Sequence, residues 1–106
     1  MYAFVQDVPI GADIYWRIVD GMGDDAVPGQ LLHLCVRRAD GGLRYIDVWE
    51  SRDACDKAFD ERIHPAVGAA LGGARPASEP IREELEILHA TGALLGGRDV
   101  VAAPEA

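Results

Sequence analysis

Apolar and polar positions change rhythm several times along the chain, and each change marks an element. Residues 2–8 are apolar at nearly every position, Gln6 and Asp7 excepted, and Pro9 closes the run, which predicts a strand. Ile14, Ile18 and Met22 then recur at steps of four, with Tyr15 and Val19 beside them, the stripe of an amphipathic helix over 12–22. Asp13 complements the dipole at its start, and the Gly/Asp cluster at 21–25 closes it. After a Pro28-Gly29 turn, 30–38 reads as a second strand and 43–50 as a third, joined by the hairpin signal Ala39-Asp40-Gly41-Gly42. Ser51 is a good N-cap for a second helix, whose Cys55, Phe59 and Ile63 fall at steps of four. His64-Pro65 is expected to break that helix, because the residue before proline avoids helical dihedrals. The small-residue stretch 66–71 predicts a short further piece and 74–80 a loop. A fourth strand is expected over 82–91, with Leu85, Ile87 and His89 alternating against Glu84, Glu86 and Leu88.

The order is β-α-β-β-α-β. Two helical connections around a central hairpin predict an α+β, ferredoxin-like domain over 1–91: a four-stranded antiparallel sheet with both helices on one face. The tail, 92–106, is expected to be disordered or to add an edge strand to a partner through 99–102.

Strand alternation divides the hairpin into two sets: Leu32, Leu34, Val36, Ile46 and Val48 against His33, Cys35, Tyr45, Asp47 and Trp49. The aliphatic set is expected under the helices, which would put the aromatic and polar set on the open face. A two-residue Asp40-Gly41 loop would set His33 beside Val48 and mix the sets. An odd loop, supplied by Asp40, Gly41 and Gly42, sets His33 near Asp47 or Trp49 and is the expected geometry. An open face carrying Trp49 and Tyr45 is too aromatic to stay wet. It predicts a homodimer, sheet to sheet, with the imidazole, carboxylate and indole in a space that the second copy closes.

The chain has 106 residues, 49% hydrophobic and 26% charged, which fits one small globular domain. Its 10 Lys and Arg against 18 Asp and Glu give a formal charge of -8, which repels phosphate backbones and argues against nucleic-acid binding. No apolar run reaches the length of a membrane span and no export signal is seen, so neither a membrane nor a secreted setting is expected; the reading is cytoplasmic. Cys35 and Cys55 read as reduced core thiols. His33, His64 and His89 show no metal-ligand spacing, so no metal is expected.

His33 with Asp47 is the sharpest candidate pair. A carboxylate beside an imidazole fixes its tautomer and favours a general base, though the same pair can simply be a satisfied cross-strand hydrogen bond. Gln6 shares a face with Tyr2 and Phe4, and its amide can orient a carbonyl or hydroxyl or bond a neighbour. His89 points with Leu85 and Ile87, toward core or interface.

The β-α-β-β-α-β order, the Asp47-Val48-Trp49-Glu50-Ser51 junction and the helix carrying Phe59 resemble the dimeric α+β barrel superfamily, and within it the antibiotic biosynthesis monooxygenase-like group, over about 1–91. The resemblance implies a cofactor-independent monooxygenase, or a related small enzyme, acting on a hydrophobic aromatic, polyketide-like metabolite. His33 and Asp47 would then be catalytic. Trp49, which matches the pocket tryptophan of those oxygenases, would bind substrate with Gln6, Tyr45, Phe4 and His89. Where the haem-degrading branch places its histidine ligand this chain reads Lys57-Ala58-Phe59, and only Gln6 stands in for that branch's strand-one asparagine, so haem is not expected. The alternatives are a non-catalytic metabolite-binding or accessory dimer, in which Trp49 anchors the interface, and an isomerase or cyclase using the same base.

Overall fold

The computed structural model describes residues 1–73, 80–92 and 100–101. Strand β1 (Tyr2–Val8) leads to helix α1 (Ala12–Met22), the hairpin β2 (Gln30–Arg37) and β3 (Leu43–Trp49), helix α2 (Arg52–Ala58), helix α3 (His64–Ala70) and strand β4 (Arg82–Leu85). The sheet order is β2-β3-β1-β4, antiparallel at every pairing. This is the ferredoxin-like arrangement that the element order predicts.

Turn chemistry sets the register of the hairpin. Arg38 N–H donates to the Gly42 carbonyl at 2.8 Å and Gly41 N–H to the Arg38 carbonyl at 3.0 Å, closing a three-residue loop of Ala39, Asp40 and Gly41. Gly41 takes a φ of 88°, a left-handed conformation that glycine adopts without steric cost. The loop is odd, as expected, but lies one residue earlier than Asp40-Gly41-Gly42, and it places His33 opposite Asp47 and Cys35 opposite Tyr45. A register shift between Gln30 and Leu32 then brings Gln30 opposite Trp49, onto the same face as His33.

Ser51 caps α2 as expected, its hydroxyl accepting from Ala54 N–H at 3.0 Å. The expected break at His64-Pro65 does not occur. Residues Phe59–Ile63 form a π-helical turn in which His64 N–H donates to the Phe59 carbonyl, five residues back, and α3 continues from it. Proline lacks an N–H and crowds the carbonyl four residues back; the wider turn shifts those partners and lets the helix pass.

The fourth strand is shorter than its alternation predicts. Its partners on β1 run from Gln6 to Ala3, and β1 starts at Tyr2, so beyond Leu85 the strand runs off the end of its neighbour. His89–Ala90 (β5) pairs instead with Val100–Val101 (β6) in a separate two-stranded sheet, so this part of the tail pairs within its own chain. The loop expected at 74–79 and the tail segments 93–99 and 102–106 lie outside the described residues. Among the described residues, no helix is long and apolar enough to cross a membrane.

The sidedness of the sheet is the reverse of the expectation. Trp49, Phe4, Cys55, Ala58 and Phe59 form one buried cluster, so Trp49 and Phe4 face the helices. His33 faces them too, because its ring meets Tyr15 of α1. By alternation and register Cys35, Tyr45, Asp47 and Gln6 lie on this covered face, and Val5, Leu32, Leu34, Val36, Ile46, Val48 and Leu85 on the open one. Polar groups tolerate burial when they are bonded: His33 and Trp49 bond Asp47, and Gln6 bonds the Pro80 carbonyl. The helices supply aliphatic packing of their own from Ile18 and Ala66.

Candidate functional site

The covered face and the helices enclose a cavity of about 230 Å³. Its apolar wall comes from α1 (Ile18, Val19, Met22), from Val27, and from Phe59, Ile63 and Val67. Its polar lining comes from Tyr15, Gln30, His33, Tyr45 and Asp47, with Asp25 and Arg62. Arg62 is fully engaged in holding the chain after α1, donating to the carbonyls of Met22 and Ala26 at 2.9 Å and of Asp25 at 3.2 Å.

The cross-strand register sets the central pair. His33 Nδ1 lies 2.6 Å from Asp47 Oδ1, a short charge-assisted contact. A carboxylate only accepts, so Nδ1 carries the hydrogen, and Nε2 of the neutral ring is the free acceptor. The Tyr15 hydroxyl fills that position at 2.8 Å. On the other side, Trp49 Nε1–H donates to Asp47 Oδ2 at 3.3 Å. The four groups form one chain: Tyr15 to His33 to Asp47, with Trp49 behind the carboxylate. Asp47 is 2% exposed and Trp49 0%, whereas the His33 side chain keeps 27% of its surface open. The buried end is therefore fixed and the imidazole end is accessible.

Rings stack around the imidazole. Tyr15 lies nearly parallel to it at 6.1 Å between centroids, and Tyr45 meets it edge-on at 5.1 Å. Burial raises the Tyr15 hydroxyl to about 12, with neighbouring Cys35 and the Asp47 charge adding to the effect. Burial likewise pushes Tyr45 well above the usual phenol range and raises Cys35. The phenols are thus neutral donors at neutral pH.

The candidate residues named from the sequence separate into two groups. His33, Asp47 and Tyr45 meet at the cavity. Trp49 and Phe4 are packed in the core, and Gln6, 7% exposed, donates to the Pro80 carbonyl at 2.9 Å; none of the three is on the cavity wall. His89 is exposed in the small second sheet and away from the cavity: β4 ends at Leu85, and alternation from Leu85 leads to the open face. The imidazole, carboxylate and indole, expected to project away from the helices toward a second copy, lie instead on the face that the chain's own helices cover.

Tyr15, Asp25, Gln30 and Arg62 are polar lining residues that the sequence did not single out, Tyr15 bonding His33 and Gln30 sharing its face of the sheet. A tyrosine beside an otherwise aliphatic helix stripe is the available signal for the first, since a buried hydroxyl needs a partner. Gln30 reaches the site only through the register shift beside Leu31, which no local pattern announces. Among the described residues, no group of three or more His, Cys, Asp or Glu side chains is placed to hold a metal ion.

Comparison with solved structures finds the same fold in a Chloroflexus aurantiacus J-10-fl protein assigned provisionally as an antibiotic biosynthesis monooxygenase. The match has a TM-score of 0.61 at 14% sequence identity and covers 86% of this chain and 96% of that one. At that identity the likeness is one of fold, and it is the fold expected from the strand-three junction. No family model matches the chain, and no curated protein matches it.

Proposed function

We propose that this protein is a small cofactor-independent monooxygenase that takes a hydrophobic phenol of one or two rings into the cavity beneath α1, with His33 as general base and Asp47 holding its tautomer. The observation carrying this reading is the Asp47–His33 pair, whose outer nitrogen is bonded to Tyr15 on the wall of a largely apolar cavity. The volume favours a compact ligand, being below the roughly 300–1,000 Å³ of drug-sized pockets. The base removes the phenolic proton, and the electron-rich phenolate passes an electron to dioxygen. The radical pair joins at the para carbon. Loss of that carbon's proton and cleavage of the O–O bond then leave one oxygen in the quinone and the other in water. Phenol plus dioxygen gives quinone plus water, with dioxygen the only oxidant.

A second copy of the chain is proposed to cover the open face, where Leu34, Val36 and Leu85 stand exposed beside half-buried Val5, Leu32, Ile46 and Val48.

Oxygen uptake with a panel of naphthols tests the activity. Wild-type protein is expected to consume oxygen with quinone formation, and His33→Gln to lose about 10²–10⁴-fold of that rate. Equal rates in the two proteins would remove His33 from the chemistry. The binding-only reading has its own support: no buried side-chain polar atom among the described residues lacks a partner, so the chain of groups is complete without a substrate. Binding with no turnover would favour it, and turnover under argon would favour an isomerase or cyclase.

A further inference from the structure

The free nitrogen of the base is already occupied. Tyr15 Oη lies 2.8 Å from His33 Nε2, which leaves no space for a ligand atom between them. A ligand proton can reach Nε2 directly only if Tyr15 is displaced, and that would strip a half-buried hydroxyl of its partner. The alternative keeps every hydrogen bond. A hydroxyl that donates to an imidazole still has lone pairs to accept with, and Tyr15 is itself on the cavity wall.

We infer that Tyr15 is the residue that meets the ligand: it accepts the ligand's hydroxyl proton while passing its own to His33, so the cavity selects compounds bearing an acidic hydroxyl. This rests on the reading of His33 as base. In the transfer the ligand O–H bond breaks as its hydrogen joins the Tyr15 oxygen, and the original Tyr15 O–H breaks as its proton joins Nε2. A neutral phenol and a neutral imidazole become a phenolate and an imidazolium, the latter facing Asp47. Tyr15 ends as a donor to the new phenolate and an acceptor from Nε2–H. The groups facing Tyr15 across the sheet are His33 and Cys35 of β2 and Tyr45 and Asp47 of β3. Arg62, which donates to backbone carbonyls, and Asp25 are the other charged residues on the cavity wall, and the transfer leaves charge at both ends of the relay, phenolate and imidazolium. Burial makes the Tyr15 hydroxyl a weaker acid, raised to about 12, which keeps it from holding the negative charge itself.

The probe is 4-nitrophenol, whose ionised form is read by its visible absorbance as pH is varied. Bound to the wild type, it is expected to ionise at a pH at least one unit below that of the free compound. Tyr15→Phe, which keeps the ring against His33, is expected to return ionisation to the free value and to weaken binding of the phenolate about tenfold. Site-specific 3-fluorotyrosine at position 15 keeps the hydroxyl and is expected to keep the wild-type shift, which separates loss of the relay from loss of the fold. His33→Gln is expected to abolish the shift. A Tyr15→Phe protein that ionises the probe like the wild type, while His33→Gln does not, overturns the relay and leaves the base standing. A wild type that neither binds nor ionises the probe, or a His33→Gln protein that ionises it normally, overturns both.

Discussion

Asp47 and Trp49 are two positions apart on β3, so they share a face, and the indole N–H reaches the carboxylate oxygen that His33 leaves free. Trp49 acts in this account through Asp47 rather than on a ligand: it is buried in the core cluster, with Phe59 across it at 6.2 Å between centroids. The buried acids give a pH signature. Tyr15 rises from 10.0 to about 12 and Cys55 from 9.0 to about 11, both through burial, and Tyr45 shifts the same way. In that window the unfolded chain releases these protons while the folded chain holds them. The stability they contribute is complete below pH 9 and is lost as pH climbs through 12. Urea unfolding at stepped alkaline pH should show this decline, and Tyr15→Phe should make it shallower between pH 10 and 12. A stability that stays level across that range would contradict the burial assigned to these groups.

At the scale of elements, the entry to β2 is fixed by a close approach to α2. Gly29 has a φ of 81°, and a Cβ there would lie 2.6 Å from Ala54 Cβ, while its carbonyl accepts from Glu50 N–H at 2.8 Å. Gly29→Ala should therefore cost roughly 1–3 kcal/mol in chemical denaturation, from backbone strain and overpacking together. A loss near zero would mean that the turn is free to rearrange. The Pro28-Gly29 turn was readable in the sequence, as were the bounds of β1 and α1, since each rests on local periodicity or punctuation. The odd parity of the hairpin loop was readable too, because it keeps each set of side chains together, but its position, one residue before Asp40-Gly41-Gly42, was not. Which set the helices cover was not readable: alternation separates two faces but carries no label for either. The aromatic set lies inside with Asp47 bonded by His33 and Trp49 and His33 bonded by Tyr15, a property of the assembled quartet and not of any single residue. The π turn before Pro65 and the early end of β4 depend on neighbouring geometry and the length of a partner strand, which the local pattern does not contain.

At the scale of the whole molecule, the reversal separates two roles that the sequence reading had merged. The polar quartet and its cavity belong to one chain, beneath its own helices. The aliphatic face is the one proposed for a second copy, and burying Leu34, 40% exposed, and Val36, 38% exposed, is the type of gain that would stabilise such a dimer. Binding and dimerisation should therefore be separable. The measurement that tests this most directly is a titration of Leu34→Asp with 4-nitrophenol, its mass followed by sedimentation equilibrium. The account predicts a monomer that binds one probe per chain with wild-type affinity and ionises it as the wild type does. A folded monomer that has lost the probe together with its partner would contradict a site complete within one chain.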